Sequence, residues 1–226
     1  YVGLSGSNNR LRESSATSYY LEDTMDFGKL AITLGYRSED YEQRHRRWSD
    51  KAGPNLTEVR TGPADVRDTM AYNDHTTSSI AATYDLSDTT TLVAGFHEGM
   101  TPMFGADPEE ADNMELGVRY SEGTTNVEAF YFASDYSRLA AECTLVSGAA
   151  CDADESAIFS GGEAEVTGLE LNGSMIVEGD GVSYPISISW TSTDATFKNS
   201  SDSDYFGKVA AGDDLPYIPS KQFSIV

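Results

Sequence analysis

Three features of the sequence predict an all-β fold, an antiparallel sheet of the kind that closes into a transmembrane β-barrel. Apolar residues recur with period two and leave the opposite face polar, as in strands with one dry side and one wet side. Such segments are joined alternately by long loops and by turns of about four residues. Outer-membrane barrels have this asymmetry, whereas a Greek-key sandwich distributes its loop lengths less regularly. No apolar run approaches the ~20 residues of a membrane helix, and spanning strands need only ~9–11.

Taken in order, residues 1–15 are rich in Asn, Ser and Arg and read as the tail of a loop. In 16–26, Tyr19, Leu21 and Met25 share one face and Tyr20, Glu22, Thr24 and Asp26 the other, with Asp23 discordant on the apolar side. Phe27-Gly28-Lys29 is a tight turn. Leu30, Ile32, Leu34 and Tyr36 then alternate with Ala31, Thr33, Gly35 and Arg37, and polar residues continue this strand past the thickness of a membrane. A long loop near 47–70 carries Gly53-Pro54 and Gly62-Pro63. Ile80, Ala82 and Tyr84 mark the next strand, 85–90 a turn, and Leu92, Ala94 and Phe96 the apolar face of a strand whose other face holds Val93, Gly95 and His97.

A second long loop spans 99–112. Met114, Leu116, Val118 and Tyr120 then oppose Asn113, Glu115, Gly117 and Arg119, the clearest alternation in the chain. After the turn 121–125 comes a strand over 127–137, and then a third long loop, 139–163. Thr167, Leu169 and Leu171 face away from Val166, Gly168, Glu170 and Asn172. Glu178-Gly179-Asp180-Gly181 turns sharply into Tyr184, Ile186, Ile188 and Trp190. A fourth long loop, 198–214, leads to a last strand that starts at Leu215. The pattern gives eight complete strands and the start of a ninth.

The charge balance narrows the function. Of 226 residues, 15 are basic and 37 acidic, a net charge of −22, which argues against nucleic acid, whose phosphates require clustered Lys and Arg. The two cysteines, Cys143 and Cys151, lie in one polar loop and read as a disulfide formed in an oxidising compartment. No Gly-x-Ser-x-Gly elbow, phosphate loop, His-Glu-x-x-His or Cys-x-x-Cys is present, and His45, His75 and His97 lack metal-ligand spacing. Neither an enzyme nor a cofactor is expected. The chain opens at Tyr1 with no signal peptide and reads as an internal or mature piece.

Pro108-Glu109 followed by Glu115-Leu116-Gly117-Val118-Arg119-Tyr120 resembles the middle of the barrel domain of TonB-dependent outer-membrane receptors, where an acidic Pro-Glu loop precedes a Glu-x-Gly-x-Arg strand. The strand that ends in Asp135-Tyr136, the Gly168-Leu169-Glu170 strand and the Leu215-Pro216-Tyr217-Ile218-Pro219 strand entry are similar to later motifs of that family, in the same order. Within it the chain is most similar to the ferric dicitrate type, through Gly95-Phe96-His97-Glu98-Gly99-Met100-Thr101-Pro102, the Cys143–Cys151 loop and Gly161-Gly162-Glu163. It departs from that pattern at Glu98, where a basic residue is expected, and at Met100, where Phe is expected.

The resemblance implies that residues 1–226 are part of a 22-stranded barrel domain without its plug. It implies a bacterial outer-membrane location and energy-dependent uptake of a ferric chelate, ferric citrate or a siderophore, driven through TonB by way of the plug. The rival classes are a passive porin, a receptor for cobalamin or a sugar, and a soluble secreted all-β binding module. Expected partners are the iron chelate, the TonB complex, and outer-membrane lipid and lipopolysaccharide.

One cluster of positive charge stands out in this acidic chain: Arg44, His45, Arg46 and Arg47, with Arg37 before and Lys51 after. Guanidinium groups grip carboxylates and phosphates bidentately. The cluster therefore suits an anionic chelate such as ferric citrate; the competing readings are lipopolysaccharide phosphates or the chain's own carboxylates. His97, near the outer rim on the polar face, is a second ligand candidate. Glu22, Glu115, Arg119 and Glu170 are assigned to the barrel's inner wall, where they would pair with the plug.

Overall fold

The computed structural model describes residues 9–48, 67–72, 74–102, 108–142, 158–203 and 207–226. Every regular element among them is a strand: β1 (Asn9–Asp26), β2 (Leu30–Trp48), β3 (Arg67–Tyr72), β4 (His75–Ser87), β5 (Thr90–Thr101), β6 (Glu109–Glu122), β7 (Thr125–Glu142), β8 (Ile158–Gly179), β9 (Val182–Phe197), β10 (Ser201–Ser203), β11 (Gly207–Val209) and β12 (Lys221–Ile225). The main sheet runs β1-β2-β4-β5-β6-β7-β8-β9-β12, with β3 attached to β2, and β10 and β11 form a separate ribbon.

All eight expected strands form, and they outrun their apolar stretches because backbone pairing continues whatever the side chains are. The expected loop 47–70 holds β3 at its end, and the loop 198–214 holds the β10–β11 ribbon. None of these three short strands carries a clear apolar alternation, so none was visible in the pattern. The last strand begins at Lys221, not Leu215, because Pro216 and Pro219 have no N–H with which to join a ladder. Residues 143–157, with both cysteines, lie outside the described residues.

The chain divides into two compact units, Tyr1–Tyr19 with Ser38–His75, and Tyr20–Arg37 with Thr76–Val226. In the first, β3 pairs antiparallel with the far half of β2, from Glu42 opposite Tyr72 to Arg47 opposite Arg67. Ser18 donates to Glu39 at 3.0 Å.

In the second unit the strands are joined at one end by tight connections. Phe27 N–H donates to the Leu30 carbonyl at 2.7 Å, and Gly28 adopts φ 81° with its N–H on the Asp26 carboxylate at 2.7 Å. Asp180 and Gly181, at φ 52° and 76°, close the β8–β9 hairpin with two left-handed residues, the turn whose twist matches paired strands. Register then stacks like on like. Leu92, Val118, Ala129, Leu171, Trp190 and Phe223 stand opposite one another across six strands, and Ala94, Leu116, Tyr131 and Leu169 form the next row.

That apolar face is uncovered among the described residues. Among the described residues the buried hydrophobic side chains are Ala164, Ala195 and Phe197, gathered at the far ends of β8 and β9, where Phe197 bonds through its backbone to Asp213 and Gly212. By contrast Ile80, Leu92, Phe96, Met114, Leu116, Val127, Leu169 and Leu171 are 38–57% exposed. Burying such a side chain is worth ~1.5–3 kcal/mol, so leaving half of these eight in water forgoes roughly 6–12 kcal/mol. A whole domain is stable by only about 5–15 kcal/mol. A face of this kind is built for an apolar medium.

Candidate functional site

The opposite face of the second unit is polar, and register orders it into rows. His97, Asn113, Ser134 and Val166 are aligned; the next rows are Gly95, Glu115, Phe132, Gly168 and Thr193, then Val93, Gly117, Phe130, Glu170 and Thr191, then Thr91, Arg119, Glu128, Asn172 and Ser189. The middle of these rows lines a cleft of about 480 Å³.

Two phenylalanines sit on this mostly polar surface, each directly opposite a glycine: Phe130 across from Gly117, and Phe132 across from Gly168. The rings lie in the space a side chain would fill. A Cβ on Gly117 would run into the Phe130 ring and come within 2.7 Å of the Ala129 carbonyl oxygen, and one on Gly168 would come within 2.7 Å of the Phe132 ring. Aromatic cover of a cross-strand glycine fixes strand register.

Arg119 closes the cluster. Its Nε lies 3.0 Å from Glu128 Oε1, and its guanidinium carbon 5.4 Å from the centre of the Phe130 ring. Both charged groups are about half exposed, so the ion pair contributes roughly 0.2–1 kcal/mol. With Glu115 and Glu170 beside it, the cleft carries more negative charge than positive. It favours cationic or hydrogen-bonding partners over a free polycarboxylate anion.

Above the apolar rows, on the same face as they are, runs a row of carboxylates: Glu98, Asp112, Asp135 and Glu165, each opposite the next. Like charges directly opposite repel. Lys198 donates to Asp135 at 2.6 Å, and that hydrogen bond above all holds its ammonium pKa above the ordinary value. Arg138, at φ 57° beside a bulge in β7, reaches Glu110 at 2.6 Å. Glu98 accepts from the Ser78 N–H at 2.7 Å and hydroxyl at 2.8 Å. The departure from the ferric dicitrate pattern at Glu98 thus falls on the apolar side of the sheet, away from the cleft.

The chain matches the family model for the TonB-dependent receptor-like β-barrel along residues 1–226. It belongs to that family. The likeness extends to solved structures. The siderophore receptor PiuA from Acinetobacter baumannii superposes with TM-score 0.70 at 18% identity, over 95% of this chain and 31% of its own. The ferric-catecholate import receptor Fiu from E. coli K12 gives 0.72 at 17%, over 96% and 32%. The ferric citrate transporter FecA in its unliganded form gives 0.69 at 18%, over 96% and 30%. The chain therefore spans about a third of each of these receptors, and at such identities the likeness is one of fold. No curated protein sequence matches it.

Membership makes the chain part of an antiparallel β-barrel, with the apolar face outward and the polar face toward the lumen. The positions of the candidate residues follow. His97 is exposed on the lumen face, lining the cleft, and its carbonyl accepts from Asn113 Nδ2 at 3.4 Å. Glu115, Arg119 and Glu170 line the same cleft, and Glu22 is exposed on β1.

Arg37 ends the β2 segment of the second unit, whereas Arg44 to Arg47 belong to the first. Arg37 and Arg44 each already interact with a neighbouring group. His45, Arg46 and Arg47 stand opposite Thr69, Asp68 and Arg67 in the β2–β3 ladder, and their side chains lie outside the described residues, as does Lys51. Sequence reasoning missed Arg67, which only the β3 pairing brings alongside Arg47. It also missed Phe130, Phe132 and Glu128, although Gly117 and Gly168 on the polar face were the available signal.

Proposed function

We propose that this chain is barrel wall of a bacterial outer-membrane receptor that captures a ferric chelate, ferric citrate or a siderophore, and moves it inward with energy delivered through TonB. The observation that carries this reading is the two-faced sheet: rows of half-exposed apolar side chains outward and a polar, charged cleft inward, in a chain of the TonB-dependent barrel family. The apolar face of β8, from Leu169 to Val177, is nine residues deep, about 30 Å of strand. At the ~40° tilt of such barrels it stands roughly 23 Å tall, close to the ~25 Å of their lipid-facing band. The siderophore and ferric citrate proteins among the structural neighbours support an iron chelate as cargo.

In this reading residues 1–226 belong to the barrel domain. Arg37, Arg44, His45, Arg46, Arg47 and His97 contact the anionic chelate, while Glu22, Glu115, Arg119 and Glu170 pair with the plug inside the lumen. Cys143 and Cys151 form a disulfide that pins the outer loop 139–163. The negative balance around Glu115, Glu128 and Glu170 keeps a polycarboxylate from resting further along the wall, so capture falls to the basic cluster and to His97 in the end row of the cleft.

The test is isothermal calorimetry of ferric citrate and a siderophore panel against the complete receptor in detergent, repeated with Arg44, Arg46 and Arg47 changed to Ala. Charge-assisted bonds contribute ~1.5–3 kcal/mol each. Loss of two such contacts weakens binding about 100-fold or more. Siderophore binding untouched by the substitutions would refute the assigned residues, and no chelate binding at all would refute the cargo.

A further inference from the structure

Among the described residues, the outward face has a crevice at the edge of β9 that the receptor reading does not use. Leu215 N–H donates to the Ala195 carbonyl at 2.8 Å, and Thr193 N–H to the Ser220 carbonyl at 2.9 Å. Between those bonds β9 advances two residues while its partner takes five, so 216–219 must leave the sheet. Pro216 and Pro219 cannot donate to β9, and Tyr217 adopts φ 67° with its side chain fully exposed, a conformation that costs a non-glycine residue strain.

The excursion and the sheet enclose about 500 Å³. Its walls are apolar at Tyr131, Leu169 and Ile218 and charged at Asp194, Asp214 and Lys221. Its height is fixed by register. The row Ala94, Leu116, Tyr131, Leu169 is apolar until it reaches Ser192 and Lys221. The crevice is therefore sunk into the apolar band itself, two rows at most below the carboxylate row.

We infer that this crevice seats a phospholipid with a zwitterionic headgroup. Its place on the lipid-facing side determines what fills it, so the inference rests on the membrane reading above. One acyl chain lies against Tyr131, Leu169 and Ile218. Lys221 holds the phosphate, and Asp194 and Asp214 hold the ammonium. Two carboxylates against one ammonium give the site a negative balance that disfavours a lipid carrying only phosphate charge.

Native mass spectrometry of the complete receptor, purified in a mild detergent and supplied separately with phosphatidylethanolamine, phosphatidylglycerol and lipopolysaccharide, tests this. Retention of one phosphatidylethanolamine, at least ten-fold above phosphatidylglycerol, is expected. That preference is expected to vanish in Asp194→Asn and in Lys221→Gln, both exposed positions that leave the ladder bonds intact. Equal retention of all three lipids, retention of none, or a preference unchanged by both substitutions would overturn the inference. Reconstitution into vesicles is scored in parallel: failure to insert refutes the membrane reading, whereas insertion without selective lipid refutes the crevice alone.

Discussion

Gly117 and Gly168 are fixed by what lies across the sheet from them. Phe130 and Phe132 occupy the volume of the missing side chains, so Gly117→Ala forces a ring and a strand apart. Overpacking of this kind costs about 1–3 kcal/mol. Gly173, with open space where a Cβ would go, is the control, and Gly173→Ala stays within about 0.5 kcal/mol. Urea unfolding of the complete receptor in detergent measures both; equal stabilities would show that the ring can move aside. Lys198 supplies a second test at this scale. Its pKa is raised by the Asp135 hydrogen bond above the ordinary 10.5. A raised pKa stabilises the fold at pH below the unfolded value and ceases to do so as pH climbs through the folded value. The difference in unfolding temperature between wild type and Lys198→Met is thus small, constant from neutral pH to about 10, and closed at higher pH. A difference that widens as pH rises past 10.5 would contradict the pairing.

At the scale of elements, eight strands were legible because period two marks each of them, broken only by Asp23 in the first and clearest from Met114 to Tyr120 in β6, which pairs with β5 and β7. Face assignments were legible for the same reason: Gly35, expected on the polar face of β2, lies close to the side chain of Ser79, which stands opposite His97. Legibility ended where pairing depends on the backbone alone. β3 and the β10–β11 ribbon have three to six residues with no apolar alternation, and their strands form because a neighbouring edge offers hydrogen bonds. The start of β12 moved from Leu215 to Lys221 for a reason the sequence did contain. Two prolines three residues apart exclude a continuous ladder there, and in doing so create the crevice on the outward face. The outward carboxylate row was hidden, since Glu98, Asp112, Asp135 and Glu165 come from four different strands and meet only through register.

At the scale of the molecule, the two faces of one sheet carry the functional reading. The net charge of −22 is compatible with a lipid-facing sheet because on β5 to β8 Glu115, Glu128 and Glu170 lie in the cleft and Glu98, Asp112, Asp135 and Glu165 in the row above the apolar rows, which are left to residues such as Leu116 and Leu171. The candidate site was legible only in part. His97, Glu115, Arg119 and Glu170 were placed correctly on one face by alternation, whereas the aromatic–glycine pairs beside them depend on cross-strand partners. The basic run on β2 divides between two units, so its contact with a ligand rests on chemistry alone. The most direct measurement of the central claim is a nitroxide scan along β6, with single labels at residues 113–116 and 118–120 of the complete receptor in vesicles, read by accessibility to oxygen and to a polar nickel chelate. Labels at Met114, Leu116, Val118 and Tyr120 should favour oxygen, and labels at Asn113, Glu115 and Arg119 the nickel chelate or neither. A scan in which both sets meet the nickel chelate equally would show that the apolar face is wet, and the chain would not be a lipid-facing barrel wall.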